Sequence, residues 1–333
     1  MATKSPTKRV KKVQPEPAAG VGNEGAEPIL ALTPAAEPSP LDRLVLELRN
    51  AQRARVAILK TRNMRATRLQ AVVAGTLGYH SAMAETDRAK KFAEATETIN
   101  GVLAGTHQSL MAPYILAEAP SLDVLNKHLD ELETRMKKMV PGLPVYDWLR
   151  DPNQRGFGEL GLAIVVGECG DLRNYGNPGK LWKRMGCAPF TSGGKTLMGS
   201  TWRRGVEGKL TSVEWEEFGY SPRRRSIAYL MGEGLVKQNK GEYRARYVQA
   251  KFACYQNHFD WKNKAGESAW NDCDKCKASG SLDGATCPTC GGSGKKCQRA
   301  NLHGMLMATK RLLLNLWVEW RDRTRELPAP VVI

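Results

Sequence analysis

Cys273-Asp274-Lys275-Cys276 and Cys287-Pro288-Thr289-Cys290 set a C-x2-C-x10-C-x2-C spacing, and nothing else in this 333-residue chain restricts the backbone as tightly. A C-x2-C pair turns two thiols to one side of a tight knuckle, and two knuckles supply the four soft ligands of a tetrahedral zinc site. The polar, turn-rich stretch between the pairs has too few apolar side chains to fold alone, so the segment is expected to order around its metal. Four thiolates close the coordination shell, which makes the expected zinc at Cys273, Cys276, Cys287 and Cys290 structural rather than catalytic. Disulfides are the alternative, disfavoured in a reducing compartment and by the poor bridging geometry of C-x2-C pairs. Cys297 is a substitute ligand, whereas Cys169, Cys187 and Cys254 lie among apolar or aromatic residues and read as packed thiols.

Charge sets the second constraint. Fifty Lys and Arg face 34 Asp and Glu, a net charge of +16, which favours a polyanionic partner because each cation that neutralises a phosphate releases condensed counterions. Hydrophobic residues make up 41%, enough for a core. The apolar runs are only a few residues long, against the roughly 18 that a membrane span requires, so no membrane partner is expected. The basic start, Met1 to Lys12, leads into Pro, Glu and Gly rather than an apolar run, so a cytoplasmic protein without a signal peptide is expected.

The chain divides into four parts. Residues 1–40 are rich in Pro, Ala, Glu and Lys and read as a disordered basic tail. Residues 41–145 read as a basic helical and coiled-coil arm. Leu41, Leu44, Leu48 and Ala51 start a helical stripe, and the cations that follow, Arg55 and Arg62 among them, have no Asp or Glu from Leu48 through Ala84. Such a helix repels itself by a few tenths of a kcal/mol per like-charged pair unless something external compensates, so a phosphate-contacting face competes with a plain solvated one. A second helix is predicted from a Ser121 cap through Leu122, Leu125, Leu129, Leu132, Met136 and Met139 to Pro141. Its 3-4 seam serves equally a hairpin within the chain or a homo-oligomer through residues 121–140. The remaining parts are a helical domain over 146–265 and 300–325, and the cysteine module over 266–299 as an insertion into it. The fold class expected is mainly α, a helical hairpin followed by a helix-hairpin-helix domain with a small zinc ribbon.

In the helical domain, Arg155-Gly156-Phe157-Gly158 turns into the apolar helix Glu159 to Gly170. Glycines without Cβ allow backbone N–H groups to approach a phosphate at a helix N-terminus, although an ordinary helix-to-helix turn has the same form. Arg223-Arg224-Arg225 follow the cap-like Ser221-Pro222, placing three cations at the wrong end of the helix dipole; a phosphate or a carboxylate such as Glu216 or Glu217 would compensate them. Trp202-Arg203-Arg204 and Tyr243-Arg244-Ala245-Arg246-Tyr247 add aromatic and basic side chains that suit nucleic acid, or a core. Gly193-Gly194-Lys195-Thr196 ends like a phosphate-binding loop, but Pro189 stands where that motif requires Gly, which excludes nucleotide hydrolysis. His303 opens the last helix and reads as a cap or packing residue.

Taken in order, the run Gly156 to Lys195, the segments Ser221 to Leu230 and Tyr243 to Tyr247, and His303 through Arg321 resemble the C-terminal domain of a family of bacterial insertion-sequence transposases. The family's Gly-Leu-Ala-Pro-Phe stretch before a Ser-Gly loop is similar to Met185-Gly186-Cys187-Ala188-Pro189-Phe190 before Ser192-Gly193. The resemblance spans residues 122–323, interrupted by the cysteine module, whose Cys287 to Gly294 is in turn similar to one zinc repeat of the DnaJ-type chaperones. It implies a helix-hairpin-helix domain that binds DNA, and a serine that attacks the DNA strand beside Mg held by the carboxylates of a RuvC-type domain. Ser192 matches the serine, with Ser200 the alternative because the loop is shorter than the family's. Residues 1–120 offer helix, basic charge and a low-complexity tail where that family has strands and spaced carboxylates. A serine hydroxyl without a base or a metal is a poor nucleophile.

The function expected is a transposase-related DNA-binding protein, with structured RNA a second ligand and a serine recombinase component a further role. Its backbone contacts are Gly156, Gly158, Lys195, Arg203, Arg204, Arg223, Arg224, Arg225, Arg244, Arg246, Arg55 and Arg62. The alternatives are a non-catalytic DNA- or RNA-binding protein and a zinc-ribbon adaptor that binds other proteins.

Overall fold

The computed structural model describes residues 37–152, 156–192, 195–197, 221–238, 240–263 and 266–327, with the side chains of 190–192 and 195–197 left aside. Its described part is mainly helical, with a few two- or three-residue strands. Helix α1, Pro40–Thr76, starts at a capping box: the Ser39 hydroxyl accepts from the Asp42 N–H at 3.1 Å, and the Asp42 carboxylate accepts from the Ser39 N–H at 3.0 Å. Pro40 then stands where a missing N–H costs nothing. Helices α2, Glu85–Leu103, and α3, Ala112–Met139, fold back along α1. A one-turn 3-10 segment, Val140–Gly142, and α4, Tyr146–Arg150, lead to α5, Glu159–Cys169, and α6, Pro178–Arg184. After the hairpin of β1, Phe190–Ser192, and β2, Lys195–Leu197, come α7, Pro222–Lys237, α8, Gly241–Asn257, and α9, Gln298–Arg323.

The largest hydrophobic cluster among the described residues gathers Leu48 from α1, Met136 from α3, Leu162 and Val166 from α5, and Leu312, Leu316 and Trp320 from α9. Helix α5 is apolar nearly all round, the composition of a helix enclosed by others. Its Gly167 is what lets α1 come so near, since a Cβ there would stand 2.6 Å from Cβ of Gln52. Trp320 closes the base, its Nε1–H donating to Asp171 at 3.0 Å, while Arg173 links Asp171 to Asp42 at the start of α1.

A second cluster sits at the other end of α1: Leu69, Val73 and Ala74 meet Ala95 and Val102 of α2 and Ile115 of α3. Between the clusters the α1–α3 contact is polar, through Arg55 to Glu133 at 2.6 Å and Arg62 to Asn126 at 3.0 Å.

Helix α3 begins nine residues before the expected Ser121 cap and runs through Pro120. Proline removes one backbone hydrogen bond, yet packing against α1 at both ends holds the helix together across it. The expected seam is turned inward, with Met136 buried in the first cluster and Leu122 packed on the second.

Helices α8 and α9 cross antiparallel at Gly304, where an added Cβ would lie 2.8 Å from the Tyr247 ring. Glu242 and Tyr243, at the start of α8, meet Arg311 and Asn315 late in α9. The cysteine segment bridges their other ends with two short hairpins, β3, Asn271–Asp272, on β6, Lys295–Lys296, and β4, Ser281–Leu282, on β5, Ala285–Thr286. Among the described residues, no helix is long and apolar enough to cross a membrane.

Candidate functional site

The four expected ligands converge. The sulfurs of Cys273, Cys276, Cys287 and Cys290 all lie within 4.8 Å of one another, and all four residues are buried. Cys273 and Cys287 are 3.9 Å apart and Cys276 and Cys290 3.7 Å. A tetrahedron with metal–sulfur bonds of about 2.3 Å has edges of about 3.8 Å, so the thiols are spaced to hold one metal ion.

The two knuckles are built alike, a repeat the sequence reading passed over. Cys-x2-Cys-x2-Ser-Gly recurs fourteen residues apart, at Cys273 to Gly280 and Cys287 to Gly294. In each half the serine hydroxyl donates within the loop, Ser279 to the Cys276 and Ser281 carbonyls and Ser293 to those of Cys290 and Lys295. Gly280 and Gly294 have positive φ, and a Cβ on either would stand 2.3 or 2.2 Å from a carbonyl oxygen of the opposite half. The left-handed positions filled by Gly291 and Gly292 in one half fall to Lys277 and Ala278 in the other. Burial raises the Cys287 thiol, but the N–H groups of Cys290 and Thr289 together with the Cys290 and Cys276 thiols bring it down to about 7.

This knuckle sits directly on α8. Arg244 donates to the Pro288 carbonyl at 2.6 Å and Lys251 to that of Thr289, while Gly291 lies flat on the Val248 carbonyl. Lys251 also donates to the Tyr247 hydroxyl at 3.1 Å, which donates in turn to Asn301 of α9. Arg244 is thus committed to the metal module and to the ring of Tyr247, 4.8 Å away.

The glycine turn and the arginine run form a second assembly. Gly156, at φ +92°, packs against α7, where a Cβ would stand 2.8 Å from Leu235 Cα. Its need for glycine is therefore explained by helix contact. Gly158 caps α5 and is exposed, with Glu159 already placing an acid in that first turn. The carboxylate that compensates the arginine run is Glu168, whose side chain is 2% exposed. It accepts from Arg223 at 2.8 Å, from Arg224 at 3.2 Å and from Gln52 at 2.8 Å, joining α5, α7 and α1. Arg225 donates to the Gly186 carbonyl at 2.6 Å, at the end of α6. Burial next to this cluster raises the Cys169 thiol to about 12, an inert packed thiol, and burial likewise raises Cys187 to about 11.

Of the other expected contacts, Arg55 and Arg62 face α3 as above. Ser192 pairs with Lys195 across the β1–β2 hairpin, but their side chains, and all of Ser200, Arg203 and Arg204, lie outside the described residues, as do Glu216 and Glu217.

Arg246 stands elsewhere. It is two residues, about 200° of helical turn, from Arg244, on the side of α8 away from the knuckle. There it lines two adjoining hollows of about 830 and 370 Å³ that form one groove between α6, α8 and α9. Trp182 closes one end, its indole N–H fixed by the Lys310 carbonyl at 3.1 Å and its ring lying 5.3 Å from the Lys310 ammonium. His258, Trp261 and His303 form the other end. Burial, and then the charges of Lys310, His258 and Arg246, hold the His303 imidazole below its ordinary value. Sequence reading found Arg246 but missed Lys310, Trp182 and His258. Their signal lies in which helix faces meet, not in local spacing.

No family model, no curated protein and no solved structure matches the chain.

Proposed function

We propose that the chain is a nucleic-acid-binding protein, DNA first, related to insertion-sequence transposases and stabilised by one structural zinc. The observation that supports it best is the division of α8. Its Arg244 and Lys251 side holds the thiol module, while the Arg246 side opens into a cationic groove, so the metal fixes the helix that presents the cations. Four buried thiols favour zinc over harder cations, and zinc there would carry the folding energy of a segment with few apolar side chains. The finer fold belongs to the same reading: a zinc ribbon inserted into a helical domain whose glycine turn is the helix-hairpin-helix of that family.

The resemblance adds a strand-attacking role for Ser192; loss of cleavage in Ser192→Ala with binding retained is its test. The binding reading is tested with duplex DNA, single strands and hairpin RNA over a range of salt. Affinity should fall steeply, with log K against log salt sloping by about 0.7 to 0.9 for each phosphate neutralised. A slope near zero for all three ligands overturns it. Elemental analysis should find one zinc per chain, and none overturns the metal assignment.

A further inference from the structure

We propose that the groove between α6, α8 and α9 seats a single strand of nucleic acid, with phosphates on Arg246 and Lys310 and a base stacked on Phe259. The inference rests on the nucleic-acid reading above and assigns it a surface. Three features of the groove select a single strand. Its lining mixes apolar side chains, Trp182, Ala245, Met307 and Leu314, with the cations Arg246, Lys310 and Arg311. A duplex offers a groove only phosphates and buries its base faces, so the apolar part of that lining would meet nothing; a single strand offers both. The groove is also long, since the two hollows share Arg246, Gln249 and Met307 and continue to His258 and His303.

The third feature is Phe259. It directly follows His258, which lines the groove, and is 71% exposed, an aromatic ring left in water. The Trp261 ring cannot take a base in its place, because His258 stacks on it at 4.5 Å and Arg299 lies 4.8 Å from its centre. Arg246 makes one exposed bond, to Gln249 at 2.9 Å, that a phosphate can replace. Arg311 is paired with Glu242 at 2.5 Å, and that carboxylate keeps its end of the groove from being uniformly positive. The phosphate track therefore runs through Arg246 and Lys310 toward the histidines.

The test is fluorescence anisotropy of the zinc-loaded full-length chain with a labelled oligothymidine of about 20 nucleotides, in parallel with a duplex of equal length, across salt near 0.1 M. The unaltered protein should prefer the single strand. Joint Arg246→Gln and Lys310→Gln should weaken it roughly tenfold and reduce the salt slope by about 1.4, two phosphates at the single-strand value. Phe259→Ala, on an exposed loop where folding is not at issue, should weaken the single strand by roughly 5- to 100-fold while the salt slope and duplex binding stay unchanged. If the unaltered protein binds the strand and these variants bind it equally well, the groove is the wrong surface and the wider reading stands. A preference for the duplex, or for an acidic peptide competed against the strand, also overturns the groove. Failure of the unaltered protein to bind any nucleic acid removes the wider reading, and the groove with it.

Discussion

The thiol cluster and the Glu168 carboxylate are both buried centres that collect polar ligands, but they collect them over very different distances along the chain. The four sulfurs come from eighteen consecutive residues and converge within 4.8 Å of one another. Glu168 gathers Gln52, Arg223 and Arg224, which lie 116, 55 and 56 residues away. The first centre can form before the rest of the molecule is folded. The second exists only once α1, α5 and α7 are packed. Local ligands make a module that depends on its metal, and distant ones a joint that depends on the whole fold.

The largest effect should follow from striking the module. Cys287→Ser, or strong chelation, should release the metal and open 266–297 to protease, since structural zinc sites carry apparent binding energies of about 10–16 kcal/mol. The body around α1, α5 and α9 should keep its helical signal, and simultaneous collapse of that body would erase the contrast. Next is Glu168→Gln, which leaves the largely buried Arg224, and the more exposed Arg223, facing a neutral amide. It should cost about 3 kcal/mol in urea unfolding, with the metal retained. Arg223→Ala should cost much less, because that guanidinium is 43% exposed. Gly156→Ala should cost about 1–3 kcal/mol, as both its φ and its contact with α7 exclude a side chain. Arg55→Ala, on a partly buried charged hydrogen bond to Glu133, should cost about 1–2 kcal/mol.

The smallest effect is a pH dependence. The folded protein holds His303 below its ordinary value, so the unfolded chain takes up that proton first. Stability should therefore fall as pH drops below the ordinary histidine range, toward the folded value. His303→Gln should flatten that limb of a pH–stability curve, and an unchanged limb would assign it to other groups.

The same contrast explains what could be read in advance. The metal ligands were legible because C-x2-C pairs fix their own geometry, and α1 was legible because Leu41, Leu44, Leu48 and Ala51 keep helical spacing. The start of α3 was not, because Pro120 and Ser121 form a convincing local stop that packing against α1 overrides. The partner of the arginine run was sought nearby, at Glu216 or Glu217, and Glu168 is 55 residues from Arg223. Lys310 and Trp182 are 128 residues apart, and only the packing of α6 on α9 makes them neighbours. Gly156 was singled out rightly as a position that needs glycine, but the close neighbour is α7.

Helix α1 belongs to the two largest hydrophobic clusters at once. About 24 of its residues lie beyond Gln52, where it leaves the body, an arm of about 36 Å, so a tilt of about 5° there would swing the far three-helix tip by about 3 Å. The fulcrum of such a swing would be the close contact of Gln52 with Gly167 of α5. Labels on Thr98 and Lys237 would measure that swing as a distance change, and a ligand that grips the tip would be felt at the base.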